Sequence, residues 1–342
     1  FSKLDAIQVM ASKAMIKLSS YLFSYENHSR FRYKYEYLMW WLKINKRFRK
    51  DLQGVDAIVF AGGGFLKFRT QGLNYYVEQI IKVAEKNNIP VMMNGVGIEG
   101  YDENDIRCQK LKAAINKDCV KVITTRDDVD TLENLYIENP DIMTDPALWV
   151  PECYSLKRKG HNNIIGINII RGRVFQAYGN TLSEFELLNF YKKLIISIEE
   201  KGWNWVLFSN GMKADQAFGN KLLKALECKN PHKMLPAPNN TMEFLQMIRQ
   251  FKCVFGARLH ACITAYALDV PVVGLIWSEK LQIFSEVIGK TGNFFPEEKL
   301  HIEAVIDAME KSFDDGYDRE RRNELKALTK EYLEKFLAGI NK

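Results

Sequence analysis

The chain has 342 residues, 47% hydrophobic and 26% charged, which excludes a disordered polypeptide and supplies more core than one ordinary domain needs. Its 48 Lys and Arg against 42 Asp and Glu leave a formal charge of +6, too mild to select nucleic acid, an anionic membrane or a phosphorylated metabolite as partner. Six scattered cysteines form no CxxC pair, so neither a disulfide framework nor a cysteine-held zinc is expected. No apolar run nears the roughly 20 residues that cross a bilayer, and with reduced thiols this makes the cytoplasm the expected location.

Leu4, Ile7, Met10, Ala11, Ala14, Met15, Leu18 and Leu22 recur at helical spacing and predict a helix over 2–24. A second helix is predicted from Phe31, where Tyr37, Trp40 and Trp41 precede Lys43, Lys46, Arg47, Arg49 and Lys50. Aromatic and basic groups in this order suit peripheral contact with the inner face of a membrane; a packed aromatic face with a solvated basic end is the simpler explanation. The cluster is too short to establish a nucleic-acid surface, and none is expected.

From residue 55 the pattern becomes short apolar runs alternating with helical stretches. Strands are predicted at 55–60, 89–93 and 120–124, each followed by a helix, around 75–87, 104–116 and after Arg126. The alternation resumes at 164–170, 203–208, 252–255 and 271–276, with helices around 182–200, 215–227 and 241–250 and a further one beginning near Leu259. It implies an α/β protein with mostly parallel sheets covered on both sides. The expected domains are 1–155, opened by the aromatic and basic helical segment, 156–296, and a helical tail, 297–342, that packs back across the domains. The polar stretch 155–163 is the expected linker.

Ligands of open α/β sheets bind beyond the C-terminal strand ends. Gly62, Gly63 and Gly64 follow the first strand and permit a close approach to a ligand or an ordinary tight turn; their spacing fits neither a Walker A loop nor a dinucleotide fingerprint. Asn94 opens an Asn-Gly-Val-Gly turn after the next strand, which either shapes the same cleft or simply permits the strand-to-helix turn. Arg126 follows the third and either grips an anion or pairs at the surface with Asp127 or Asp128. Asp145, before Pro146, either orients a substrate hydroxyl or caps a turn. Arg171 and Lys280 follow strands of the second half and are anion contacts or ion-pair partners; Glu279 adjoins Lys280.

The sharpest signal is Gly256-Ala257-Arg258-Leu259-His260, where an apolar strand gives way to a helix. Arg258 can clamp a carboxylate or phosphate with a bidentate fork. His260 can move a proton near neutral pH, or serve as a structural histidine. The other histidines form no metal-ligand cluster with it, and no metal or cofactor is expected. A hydrolase elbow and a kinase set are both missing from the sequence.

Ala61-Gly62-Gly63-Gly64-Phe65-Leu66, Asn94-Gly95-Val96-Gly97, Thr124-Thr125-Arg126-Asp127, Asp145-Pro146-Ala147 and Arg258-Leu259-His260-Ala261, with Gly274 and Lys280, occur in an order that resembles the polysaccharide pyruvyl transferase family. The resemblance spans roughly 55–285 and implies a GT-B-like pair of Rossmann-type domains. It implies phosphoenolpyruvate as donor and a glycan or lipid-linked sugar as acceptor, joined as a pyruvate ketal with release of phosphate. Arg258 would then hold the donor and His260 would transfer the proton. Two other functions fit parts of the sequence: a GT-B-like glycosyltransferase using a nucleotide sugar, and a non-enzymatic glycan- or membrane-binding module using the aromatic and basic helix.

Overall fold

In the computed structural model of the chain, the structure describes residues 34, 38, 52–67, 74–135, 141–156, 162–314 and 319–340. The helices expected over 2–24 and from Phe31 lie outside these residues, except that Lys34 and Leu38 are helical and exposed. The chain divides into two compact units, 1–145 with 328–342, and 146–327.

In the first unit β1 (Ile58–Ala61) is followed by β2 (Leu66–Lys67), α1 (Asn74–Lys86), β3 (Val91–Val96), β4 (Ile98–Glu99), α2 (Ile106–Ile115), β5 (Val120–Thr125), α3 (Val129–Leu135) and β6 (Asp141–Ile142). The main sheet has the order β1-β3-β5-β6 and all its pairs are parallel; β2 and β4 form a separate parallel pair. The Val-Met-Met run of β3 is fully buried because this strand, between β1 and β5, is covered on both faces. Val91, Met93, Val96 and Ile123 pack with Val77, Ile81, Leu111 and Ile115 of α1 and α2.

One expectation is corrected here. Asn94 and Gly95 belong to strand β3, not to a turn after it. The strand continues through a bulge: the register against β5 shifts between Met93 and Val96, Gly95 takes φ +60°, and its N–H donates to Thr124 Oγ1 at 2.8 Å. A side-chain hydroxyl thus replaces the missing ladder partner.

The second unit opens with a 3-10 turn, Pro146–Trp149, and α4 (Val150–Cys153). There follow β7 (Ile164–Asn168), α5 (Gly172–Ala177), α6 (Glu184–Glu200), β8 (Asn204–Phe208), α7 (Lys213–Ala225), α8 (Thr241–Ile248), β9 (Cys253–Gly256), α9 (Leu259–Ala267), β10 (Val272–Ile276), α10 (Glu279–Val287), β11 (Phe294–Pro296) and α11 (Ile302–Asp314). The sheet order β11-β10-β9-β7-β8 is parallel throughout. Its strands alternate between two cores: Cys253 and Phe255 of β9 join Trp205, Leu207 and the α6 residues Tyr191 and Leu194, while Val254 joins Phe208, Val272 and the buried face of α9. The period of two along each strand fills both sides.

Residues 146–155 are expected in the first domain but group with the second unit, where Leu148 is fully buried among α9 and α8 residues such as Ala261, Ala265 and Leu245. Outside the named strands, Met234 makes a parallel bridge to Leu207. The last helix, α12 (Arg319–Ile340), groups with the second unit to Ala327 and with the first from Leu328. No helix among the described residues is long and apolar enough to cross a membrane.

Candidate functional site

Each unit carries its polar residues where its parallel strands end. In the first unit, Gly62 and Gly63 leave β1 with φ +57° and +71°, backbone that a side chain disfavours. A β-carbon on Gly62 would stand 3.0 Å from Asp145 Oδ1, so the loop lies directly on that carboxylate. Gly97 N donates to Gly63 O at 2.6 Å and binds the glycine loop to the end of β3.

Beneath the loop, Asn94, Arg126, Asp127 and Asp145 are all buried. Arg126 Nη1 pairs with Asp145 Oδ2. Asp127 Oδ1 accepts from Ile98 N at 2.6 Å, which ties the start of α3 to β4. Burial pulls the Arg126 guanidinium below its usual range, with Asp127 opposing that shift. Arg126 is therefore neither the exposed partner of Asp127 nor a solvent-facing cation; it is buried, paired with Asp145, with the charge of Asp127 nearby. Asn94 Nδ2 donates to Thr329 O at 3.3 Å. Asn94 Oδ1 and Arg126 Nε have no hydrogen-bond partner among the described residues. Such groups are rare at this depth, which makes the cluster a candidate site for a polar ligand.

In the second unit, Arg171 follows β7, Arg258 follows β9, and Trp277 and Lys280 follow β10, so the shared strand direction brings them to one edge of the sheet. Arg258 is the N-cap of α9 and His260 its second residue. His260 is exposed and Lys280, in the first turn of α10, is half-buried. The strand-to-helix corner is tight because Gly256 has no side chain: a β-carbon there would lie 2.4 Å from Cys262 Sγ.

Asp215, in the first turn of α7, joins the arginines. It is fully buried. Its Oδ1 accepts from Arg171 Nη1 at 3.1 Å and Arg171 N at 3.3 Å. Its Oδ2 accepts from Arg258 Nε at 3.0 Å and Nη2 at 2.6 Å. Asn168, also fully buried, accepts from Arg258 N at 2.9 Å through Oδ1 and donates to Asn210 Oδ1 at 2.9 Å. Tyr191 Oη donates to Asn168 O at 3.3 Å, and burial raises its phenol beyond the ordinary range.

The aromatic flank is Trp277, whose Nε1 donates to Ala257 O. Its ring lies 5.9 Å from Arg258 Cζ and 4.9 Å from the exposed ring of Tyr178, edge to face. Two arginines and one carboxylate leave a net positive charge at this edge, suited to phosphate or carboxylate. Asp215 and Asn168 did not emerge from the sequence. Asp215 looks like an ordinary first-turn acid of a helix, and only the sheet order places it between residues 171 and 258.

Among the described residues no group of three or more His, Cys, Asp or Glu could hold a metal ion. Two solved structures similar to this chain are the UDP-GlcNAc 2-epimerase from Methanocaldococcus jannaschii, with TM-score 0.51, 14% identity and coverage of 83% of this chain and 75% of that one, and a putative UDP-N-acetylglucosamine 2-epimerase from Listeria monocytogenes, with TM-score 0.51, 12% identity and coverage of 83% and 71%. At such identities the likeness concerns the fold alone, which is GT-B-like, with two Rossmann-type units of parallel sheet. A search of curated proteins found no match. The family profile named polysaccharide pyruvyl transferase matches residues 16–279, a span that holds both polar clusters and stops one residue short of Lys280. The chain belongs to the polysaccharide pyruvyl transferase family.

Proposed function

We propose that this transferase moves a pyruvyl group from phosphoenolpyruvate to a glycan or lipid-linked sugar, forming a pyruvate ketal and releasing phosphate. The observation that carries this reading is the corner at the start of α9, where Arg258 is fixed by Asp215 and His260 stands exposed two residues later, in a chain of this family.

Arg258 and Arg171 hold the donor's phosphate or carboxylate, and Lys280 is a further cation at the same sheet edge. Protonated His260 gives its proton to the donor's methylene carbon, which becomes the methyl group, and positive character develops on the neighbouring carbon. One sugar hydroxyl forms a C–O bond there and returns its proton to His260. The carbon–phosphate oxygen bond then breaks, the second hydroxyl closes the ring, and its proton leaves with the phosphate. Fixed cations and a proton carrier are what these moving charges require. The first unit's Gly62, Gly63, Gly64, Asn94, Arg126 and Asp145 are assigned to substrate binding, with the polar cluster under the glycine loop suited to hydroxyl groups.

The test is product mass and phosphate release with phosphoenolpyruvate and a library of lipid-linked glycans. Pyruvylated product is expected, and His260→Ala should lower kcat by about 10²–10⁴-fold with donor binding retained. Selective binding of nucleotide sugars, with nucleotide released and no ketal formed, would replace this reading by glycosyl transfer.

A further inference from the structure

We infer that Asp215 is a positioning residue that makes Arg171 and Arg258 a single preorganised receptor for the phosphorylated donor, an inference that rests on the donor site proposed above. An aspartate in an anion site is at first sight a liability, because its charge repels the ligand. Here the carboxylate is fully buried and its two oxygens are divided, Oδ1 to Arg171 and Oδ2 to Arg258. It is thus a rigid anchor behind the guanidinium groups, whose side chains keep 30% and 18% of their surface exposed.

The anchoring is complete on the Arg258 side. Asn168 holds its backbone N–H, Asp215 takes Nε and Nη2, and the Trp277 ring lies against Cζ. Nη1 is left as the donor directed to neither. A long flexible side chain loses most of its rotamer freedom before any ligand arrives, so binding an anion costs less ordering. Asp215 also holds the two arginines together, since two guanidinium groups sharing an edge of one sheet repel unless a charge lies between them.

Charge and geometry make opposite predictions for Asp215→Asn. If the residue matters only through its charge, its removal takes the triad from net +1 to +2 and tightens anion binding. If it positions the arginines, binding weakens despite the added positive charge, because the amide cannot accept on both sides. We expect inorganic phosphate, titrated by calorimetry, to bind Asp215→Asn about tenfold more weakly or worse, the scale of a lost charge-assisted contact. The combined effect of Asp215→Asn and Arg258→Ala should fall short of the product of their separate effects.

A measurement on the native chain covers the case in which Asp215→Asn does not fold. The Nε–H resonance of Arg258 in ¹⁵N-arginine-labelled protein, assigned with Arg258→Lys, should exchange slowly and stand apart from solvent-exposed arginines. Phosphate affinity equal or higher in Asp215→Asn, or an Arg258 Nε–H that exchanges like free arginine, overturns the inference. Phosphate binding without phosphoenolpyruvate binding defeats the proposed donor and leaves the positioning role standing. Failure of the native chain to bind either defeats both.

Discussion

The thiol of Cys262 fills the space that a β-carbon on Gly256 would need, 2.4 Å from its position. The two residues belong to β9 and α9, and the strand-to-helix corner between them carries Arg258. Cys262 is fully buried, so its sulfur has nowhere to retreat. Gly256→Ala should cost about 1–3 kcal/mol as an overpacked core and displace the corner. Adding Cys262→Ala should restore part of the lost melting temperature; a double variant no more stable than Gly256→Ala would place the strain elsewhere.

Arg258→Lys keeps the charge at this corner and discards the fork. An ammonium cannot offer one nitrogen to Asp215 and another to a ligand in the same plane. We expect a rise of about tenfold in donor KM with a smaller change in kcat, on the scale of one lost bidentate contact. An unchanged KM would show that Arg258 acts only as a point charge.

In the first unit, Arg126 and Asp145 have side chains 6% and 5% exposed. Replacing either alone by an apolar residue strands a buried charge and should cost about 3–5 kcal/mol. Replacing both with residues of similar volume should cost less than either single change. The comparison is made by denaturant unfolding of the four proteins. If the double variant were the least stable, the pair would be a net stabiliser in its own right.

The start of α6 supplies a pH dependence. Ser183 Oγ accepts from Glu186 N at 3.2 Å and Glu186 Oε2 accepts from Ser183 N at 2.9 Å, a reciprocal capping box. The Ser183 hydroxyl and then its amide hold the Glu186 carboxyl below its ordinary value. A carboxyl lowered in the folded state stabilises the protein above its unfolded pKa, and that contribution is lost as pH falls through the folded one. Glu186→Gln should therefore melt below the native chain at pH 7, with the difference closing in acid. Ser183→Ala should lose about 0.5–2 kcal/mol at neutral pH. A Glu186→Gln deficit that persisted undiminished in acid would contradict the assignment.

The alternation of apolar runs and helices made the parallel α/β class legible, because strands buried on both faces must be written in Val, Ile, Leu and Phe, as in β9 and β10. The Gly256–His260 corner was legible for a related reason: a strand ending in glycine followed by a helix leaves few places for a polar side chain. The Asn94-Gly95 bulge was misread as a turn, since glycine signals both and only the Thr124 hydroxyl on a neighbouring strand distinguishes them. The edge strand β11, written Phe-Phe-Pro, was missed because proline weakens the strand signal. Asp215 lay 44 residues from Arg171 and 43 from Arg258. No local pattern encodes a pairing set by the order of three strands.

Trp277 gives the arginine corner an optical voice. Its indole is fastened to Ala257 and lies close to the Arg258 guanidinium, so the electric field across the ring depends on how that positive charge is screened. An anion seated on the arginine changes the field and shifts the emission of this one tryptophan. Its spectrum, isolated by Trp277→Phe difference, would follow anion binding at the corner without any attached label.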